Sequence, residues 1–323
     1  MGKKLNIALY WGASCGGCEI AVLDTNEKIL KLTEVADIVF WPVAMDTKYK
    51  DVEKMENGSI DITLYNGAIR SEENREMAEL LRRKSKLLIA FGSCAVDGCI
   101  PGLGNLYRRE EVLENAFKKT VTTDNPKGII PEVIHGKRKL TLPELEPRVS
   151  TLQQVVPVDA FIPGCPPPTE LIAKFIDIVA SGEEIPKGAN LAPDISVCDD
   201  CDRNPKEEKI LPDIIRPHRL EKDNGECFLL QGVLCMGPVT RSGCKTRCIN
   251  ANFPCTGCMG PTSKVTDQGA RFISAIGSII GGKEFDTDQE KMKEIIDKID
   301  DPIGTFYMYT LASSIMGGKK WKD

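Results

Sequence analysis

Residues 5–19 read LNIALYWGASCGGCE. An apolar run gives way at Gly12 to a short loop, and that loop carries two cysteines with two glycines between them. Similar runs recur at 36–41, 60–65, 87–91 and 158–162, short, rich in Ile, Val, Leu and Phe, and nearly unbroken. Strands buried on both faces of a parallel sheet have this pattern. Helical patterns lie between or after them, over 19–32, 71–84 and 169–180. In the last, Leu171, Ile172, Phe175, Ile176 and Val179 recur at helical spacing. Ser71 opens the second, and Asn74 three residues on leaves only half a capping box. The alternation predicts an α/β fold, a doubly wound parallel sheet, over residues 1–182.

The chain holds thirteen cysteines and two histidines. Cys15 and Cys18 follow the first apolar run, Cys94 in FGSCA the fourth, and Cys165 in PGCPPP the last. Loops at the carboxyl ends of strands in such a sheet line one crevice. These four thiols can therefore converge although 70 residues separate Cys94 from Cys165. Eight more crowd into residues 198–258: Cys198, Cys201, Cys227 and Cys235, then Cys244, Cys248, Cys255 and Cys258. After residue 182 prolines, glycines and charges dominate. A second domain is expected over 183–323, built of short helices and loops around its metal centres, with ligation supplying stability that a small core cannot. Helical stretches are expected near 267–281 and 305–316, and the tail with Trp321 reads as solvated.

The 323 residues are 41% hydrophobic, enough for a sizeable core, and the net charge of −5 argues against nucleic acid as a partner. The opening MGKKLNIALYW is too short for the apolar region of a signal peptide and has neither a small-residue cleavage site nor a twin-arginine pair. No stretch approaches the ~18 apolar residues of a membrane span. A cytoplasmic location is expected. In a reducing cytosol, clustered cysteines are metal ligands more often than disulfides.

Cysteine quartets bind structural zinc or iron–sulfur clusters. A zinc site joins two tight pairs through a spacer of ~15–20 residues. Only the third set here has two close pairs. The first is a pair plus two distant singles, and the second a pair followed by gaps of 25 and seven residues. The spacing favours iron–sulfur, and three quartets in one chain imply a conduit for electrons.

The motifs C-G-G-C-E, G-S-C-A and P-G-C-P-P, with the later block C-M-G-P and P-C-x-G-C-x-G-P, resemble the small subunit of nickel–iron hydrogenases over nearly the whole chain. The resemblance implies a flavodoxin-like N-terminal domain, an iron–sulfur cluster-binding C-terminal domain and three 4Fe-4S clusters. A proximal cluster would sit on Cys15, Cys18, Cys94 and Cys165. A medial one would use Cys244, Cys248, Cys255 and Cys258, and a distal one Cys198, Cys201, Cys227 and Cys235. The nickel–iron site would lie on a separate large subunit, leaving no catalytic residue here. The family's uptake members have histidine where this chain has Cys198, and often proline where it has Cys248. Thiolate brings negative charge that neutral imidazole does not, so low potentials are expected, suited to a flavin or ferredoxin-type acceptor. With no export signal, the chain is most similar to the cytosolic methanogen enzymes that reduce viologen but not the deazaflavin coenzyme. That implies a role in methanogenesis, with a ferredoxin-like or 2Fe-2S delta subunit and heterodisulfide reductase subunits as further partners. The deazaflavin-reducing relatives are near neighbours, but their extra C-x-x-C-x-x-C motifs are missing here.

Several residues have plainer readings. Cys99 is a small buried hydrophobe, since the first quartet closes without it. Glu19 is either a helix N-terminal acid or a hydrogen-bonding group beside the cluster. The glycines of GASCGGCE lack a phosphate-loop pattern and read as letting backbone approach cluster sulfide closely, where N–H groups can donate to it. His218 reads as an ordinary surface or core histidine. Two other functions compete. A quinone-reductase-like subunit would carry one cluster in a similar domain, but it has adjacent cysteines at its first motif and no eight-cysteine block. A zinc-stabilised interaction module would have no redox role.

Overall fold

The computed structural model describes residues 4–132, 134–135, 137–205, 210–280 and 289–317, so Trp321 and the end of the expected 267–281 helix lie outside the described residues. Six strands form one sheet: β1 (Leu5–Trp11), β2 (Ala36–Phe40), β3 (Ile60–Asn66), β4 (Ser85–Phe91), β5 (Ala160–Ile162) and β6 (Ala189–Asn190). Their order is β6-β5-β4-β3-β1-β2, and every pairing is parallel. The order turns back between β1 and β3, the arrangement of doubly wound flavodoxin-like sheets. The predicted α/β class is the one observed. The sixth strand falls at residues too few and too polar for a periodicity signal.

Both faces of the sheet are covered. Ile7, Leu9, Ile62, Leu64, Ile89 and Ile162 face a layer holding Leu32, Ile172, Phe175 and Ile176. The alternate residues Ala8, Tyr10, Tyr65, Leu88 and Ala90 face Met77, Leu81 and Val156. This two-sided burial explains why the strands read as unbroken apolar runs. The helices of the two layers are α1 (Gly17–Leu23), α2 (Lys28–Val35), α3 (Glu72–Lys84) and α5 (Thr169–Ser181), with the short α4 (Ser93–Asp97) after β4.

Three local expectations change. The helix over 19–32 is broken into α1 and α2, because Asn26 takes φ 52, a conformation that asparagine tolerates better than most residues. The capping box at α3 is complete: Ser71 Oγ accepts from Asn74 N at 3.3 Å, and Asn74 Oδ1 accepts from Ser71 N at 3.2 Å. Asparagine thus does at the third position what glutamate or glutamine usually does. The helix expected over 305–316 is the short α7 (Pro302–Phe306), followed by turns. Asp301 caps it through Gly304 N, and Pro302 starts it, so the signals lay upstream of the apolar stretch.

Beyond the sheet, short helices and turns predominate, as expected, with α6 at Gln268–Gly277. The expected scarcity of core does not hold. Val197, Phe228, Leu229, Phe272, Phe306 and Leu311 belong to one buried cluster that also includes Cys227 and Cys235. Apart from Phe272 of α6, its named members come from short helical turns and loops that show no period. Among the described residues, no helix is long and apolar enough to cross a membrane.

Candidate metal centres

The register of the sheet brings the first cysteine set together. Trp11 pairs with Asn66, Asn66 with Phe91, and Phe91 with Ile162, so β1, β3, β4 and β5 end at one level. The loops leaving those ends are stitched to one another. Gly12 N donates to Asn66 O at 2.7 Å, Gly92 N to Ile162 O at 2.8 Å, and Ser93 N to Gly164 O at 2.8 Å. Gly164 N donates back to Ser93 Oγ at 3.0 Å. Gly92 has φ +81, and a Cβ there would fall 2.3 Å from Cys18 Sγ. The strand end thus passes directly over the sulfur, which only glycine permits.

Cys18 and Cys94 are buried, and Cys15 and Cys165 are exposed. Burial pushes the Cys18 thiol up, and the neighbouring thiols of Cys165 and Cys15 add to it. Gly17 N donates to Cys15 Sγ at 3.4 Å. Cys99 is fully buried in a cluster with Cys94, and its thiol lies close to that of Cys165 as well. The plain reading of Cys99 is therefore incomplete: it is buried, but against two cysteines of the first set. Its five-residue offset from Cys94 gave no sign of this. Its backbone N–H donates to Tyr309 O at 3.0 Å, and the Tyr309 hydroxyl lies 3.3 Å from Thr256 Oγ1, next to Cys255.

Glu19 is the helix N-terminal acid of its first reading, and a buried hydrogen-bonding group besides. It lies in the first turn of α1, yet it is only 5% exposed. Trp41 Nε1 and Asn66 Nδ2 each donate to one of its carboxylate oxygens, and Ser14 Oγ donates to Asn66 Oδ1 at 2.7 Å. Burial raises its pKa, and the two donors pull it back. Those hydrogen bonds tie the cysteine loop to β3 and to the residue after β2. Neither Trp41 nor Asn66 was visible as a partner, because each is separated from Glu19 by a crossover.

In the second set, Cys198 is held by a 3-10 turn at Val197–Asp200. A Cβ on Gly237 would stand 3.2 Å from Cys198 Sγ and 3.6 Å from Cys235 Sγ. Burial carries the Cys235 thiol up to about 12, the N–H groups of Gly237 and Cys255 oppose the rise, and the thiols of Cys198 and Cys227 reinforce it. In the third set, burial and then Cys244, Cys248 and Cys165 raise Cys258 to about 12. Burial, then Cys235, acts on Cys255 in the same direction.

The third set lies between the other two. Ser93 Oγ donates to Cys258 O, which joins it to the first set. Cys255 N donates to Cys235 Sγ at 3.3 Å, which joins it to the second. A cavity of about 280 Å³ opens among Cys165, Cys244, Cys248, Cys255 and Cys258, walled by residues such as Val197, Ile249 and Met259. Among the described residues, no three histidine, cysteine or carboxylate side chains converge where one ion could sit. The thiols instead border a space, and a purely thiolate donor set around a space fits an iron–sulfur cluster. Lys245 and Arg247, within this set, pair with Glu170 of α5 at its edge. His218 is exposed.

Residues 15–179 match the family described as NADH ubiquinone oxidoreductase, 20 Kd subunit. The chain is 39% identical over 329 residues to the iron-sulfur subunit of the F420-non-reducing hydrogenase of Archaeoglobus profundus, covering 100% of both chains. It is 38% identical over 328 residues to the corresponding F420-non-reducing hydrogenase subunit of Methanothermobacter thermautotrophicus, covering 100% of this chain and 99% of that one. A [NiFeSe]-hydrogenase chain from Dm. baculatum superposes with a TM-score of 0.50 at 19% identity, covering 80% of this chain and 95% of that one, a likeness of fold. The chain, a hydrogenase component rather than a zinc module, belongs to the NADH ubiquinone oxidoreductase 20 Kd subunit family and, within it, to the nickel–iron hydrogenase small subunits of the F420-non-reducing type.

Proposed function

We propose that this chain carries electrons from hydrogen, oxidised at a nickel–iron centre on a partner large subunit, through three 4Fe-4S clusters to a flavin or ferredoxin-type acceptor. Each cluster, when bound, supplies one-electron transfer. Cys15, Cys18, Cys94 and Cys165 hold the proximal cluster, Cys244, Cys248, Cys255 and Cys258 the medial, and Cys198, Cys201, Cys227 and Cys235 the distal. Residues 1–182 form the proximal domain, and 183–323 the domain of the other two. The observation that carries this reading is the position of the third set, in contact with the first through Cys165 and Cys258 and with the second through Cys235 and Cys255.

The chain's own residues have clear tasks. Glycines at 17, 92 and 237 let backbone lie against cysteine sulfur and keep side chains out of the site. The N–H groups of Gly17 and Cys255 donate to sulfur and favour the more reduced state. Glu19, held by Trp41 and Asn66, anchors the Cys15–Cys18 loop. Four thiolates at the distal site keep its potential low. On that ground the acceptor is the heterodisulfide reductase complex of methanogenesis, reached through a ferredoxin-like or 2Fe-2S delta subunit in the cytoplasm.

Iron and acid-labile sulfide analysis of the anaerobically purified complex tests the reading. About twelve irons per copy of this chain are expected from three 4Fe-4S clusters, over and above the iron of the nickel-containing and heterodisulfide reductase subunits that co-purify. Stoichiometric zinc without iron overturns it.

A further inference from the structure

Arg203 stands two residues past Cys201, and its guanidinium joins three separate stretches of chain. Nη1 and Nη2 donate to the two carboxylate oxygens of Asp223 at 2.9 and 2.8 Å. Nη2 also donates to Asn252 Oδ1 at 2.8 Å, and Nη1 to Glu226 O at 3.4 Å. Its Cζ lies 4.6 Å from the centroid of the Phe228 ring. Glu226 and Phe228 flank Cys227, and Asn252 lies between Cys248 and Cys255. One side chain, 15% exposed, therefore binds the Cys198–Cys201 loop to the Cys227 loop and both to the loop of the third set. Asp223 is fixed in turn: Gly225 N and Gln231 Nε2 donate to its Oδ1 at 3.0 and 3.1 Å.

Only arginine suits this position. A planar fork can meet a carboxylate with two parallel bonds, serve a third acceptor at its edge and stack on a ring at once; a lysine ammonium keeps the charge but not the fork. The pair has a second effect. Without the guanidinium, the Asp223 carboxylate would stand beside a thiolate-rich site with no counter-charge, and added negative charge favours the oxidised state of a cluster.

We propose that Arg203 is the positioning residue of the distal centre: it sets the distal cysteine loops against the medial loop and neutralises Asp223 beside them. This deepens the electron-transfer reading and rests on it.

The test is a potentiometric EPR titration of the whole anaerobic complex carrying Arg203→Met, Arg203→Lys, Asn252→Ala or the pair Arg203→Met with Asp223→Asn. In Arg203→Met the distal midpoint falls, changing the oxidised-to-reduced ratio at fixed potential about tenfold, or about 59 mV for one electron. The magnetic interaction between medial and distal centres weakens as well. Arg203→Lys and the double variant restore the midpoint but not the interaction. Asn252→Ala weakens the interaction and leaves the midpoint in place. The proximal signal is the folding control in each. If Arg203→Lys and Asn252→Ala keep the parent interaction, or if Arg203→Met keeps a distal cluster at the parent midpoint, the assignment of Arg203 is wrong. If the parent complex shows no distal 4Fe-4S signal at all, the electron-transfer reading itself fails.

Discussion

Replacing Gly92 by alanine should remove the proximal cluster, and the structure gives the size of the effect. Gly92, directly after β4, has φ 81 and ψ 155, a region that glycine alone visits freely. Holding another residue there costs ~1–3 kcal/mol. The new methyl would lie 2.3 Å from Cys18 Sγ, whereas relaxed contacts between such atoms need about 3.5–4 Å, so the sulfur or the strand end must move by more than an ångström. Cys18 is 7% exposed in the first turn of α1 and cannot move alone. Overpacking of that kind adds ~1–3 kcal/mol, for a total of about 2–6. Gly58→Ala is the control. Its φ is +72 but nothing lies within 4 Å of the added carbon, so it bears backbone strain alone, ~1–2 kcal/mol. Iron content, EPR and denaturant midpoints of both variants would be compared in the anaerobic complex. Gly92→Ala should lose the proximal signal and about four irons per chain relative to the parent complex, and unfold more readily than Gly58→Ala, which should keep all its iron. A Gly92→Ala protein with full iron, the proximal signal and the stability of the control would refute the close approach of backbone to Cys18.

Three further outcomes are expected. Cys94→Ala should lose one cluster's iron while Cys99→Ala keeps it all, although Cys99 touches Cys94 and Cys165; equal losses in iron analysis would make Cys99 a ligand. Cys248→Pro should convert the medial cluster to a 3Fe-4S form with a higher potential, seen as a new EPR signal of the oxidised protein, and slow turnover with the native acceptor more than with viologen. Asp97, 7% exposed, is raised to about 7 by burial, against the hydrogen bond from Ser313 and the charge of Arg241. A carboxyl whose folded pKa is raised stabilises the fold at low pH, and that contribution is lost as pH climbs from about 4 to about 7. Asp97→Asn should therefore gain on the parent across that window, by up to about 1.4 kcal/mol per pH unit, and run parallel to it above pH 7 in denaturant titrations; a constant offset at all pH values would refute the shift.

Apolar runs and the residues that follow them are local properties, and they were enough for the parallel sheet. A strand buried on both faces must be apolar throughout, and a loop at its carboxyl end must come next in the chain. The meeting of the strand-end cysteine loops was likewise open to reading, since equivalent ends of parallel strands share one edge of the sheet. Contacts between distant segments leave no such trace. Ser93 meets Cys258 across 165 residues, and Arg203 meets Asn252 across 49. The second buried cluster draws Val197 and Phe228 from segments without a period of their own, and packs them with Phe272 and Leu311. Whether Cys99 lies against two other thiols, what holds Glu19, and which cysteine set stands between the other two depend on how loops pack after the sheet has formed. Packing of that kind is a balance of many weak contacts between remote residues, and no short stretch of sequence records it.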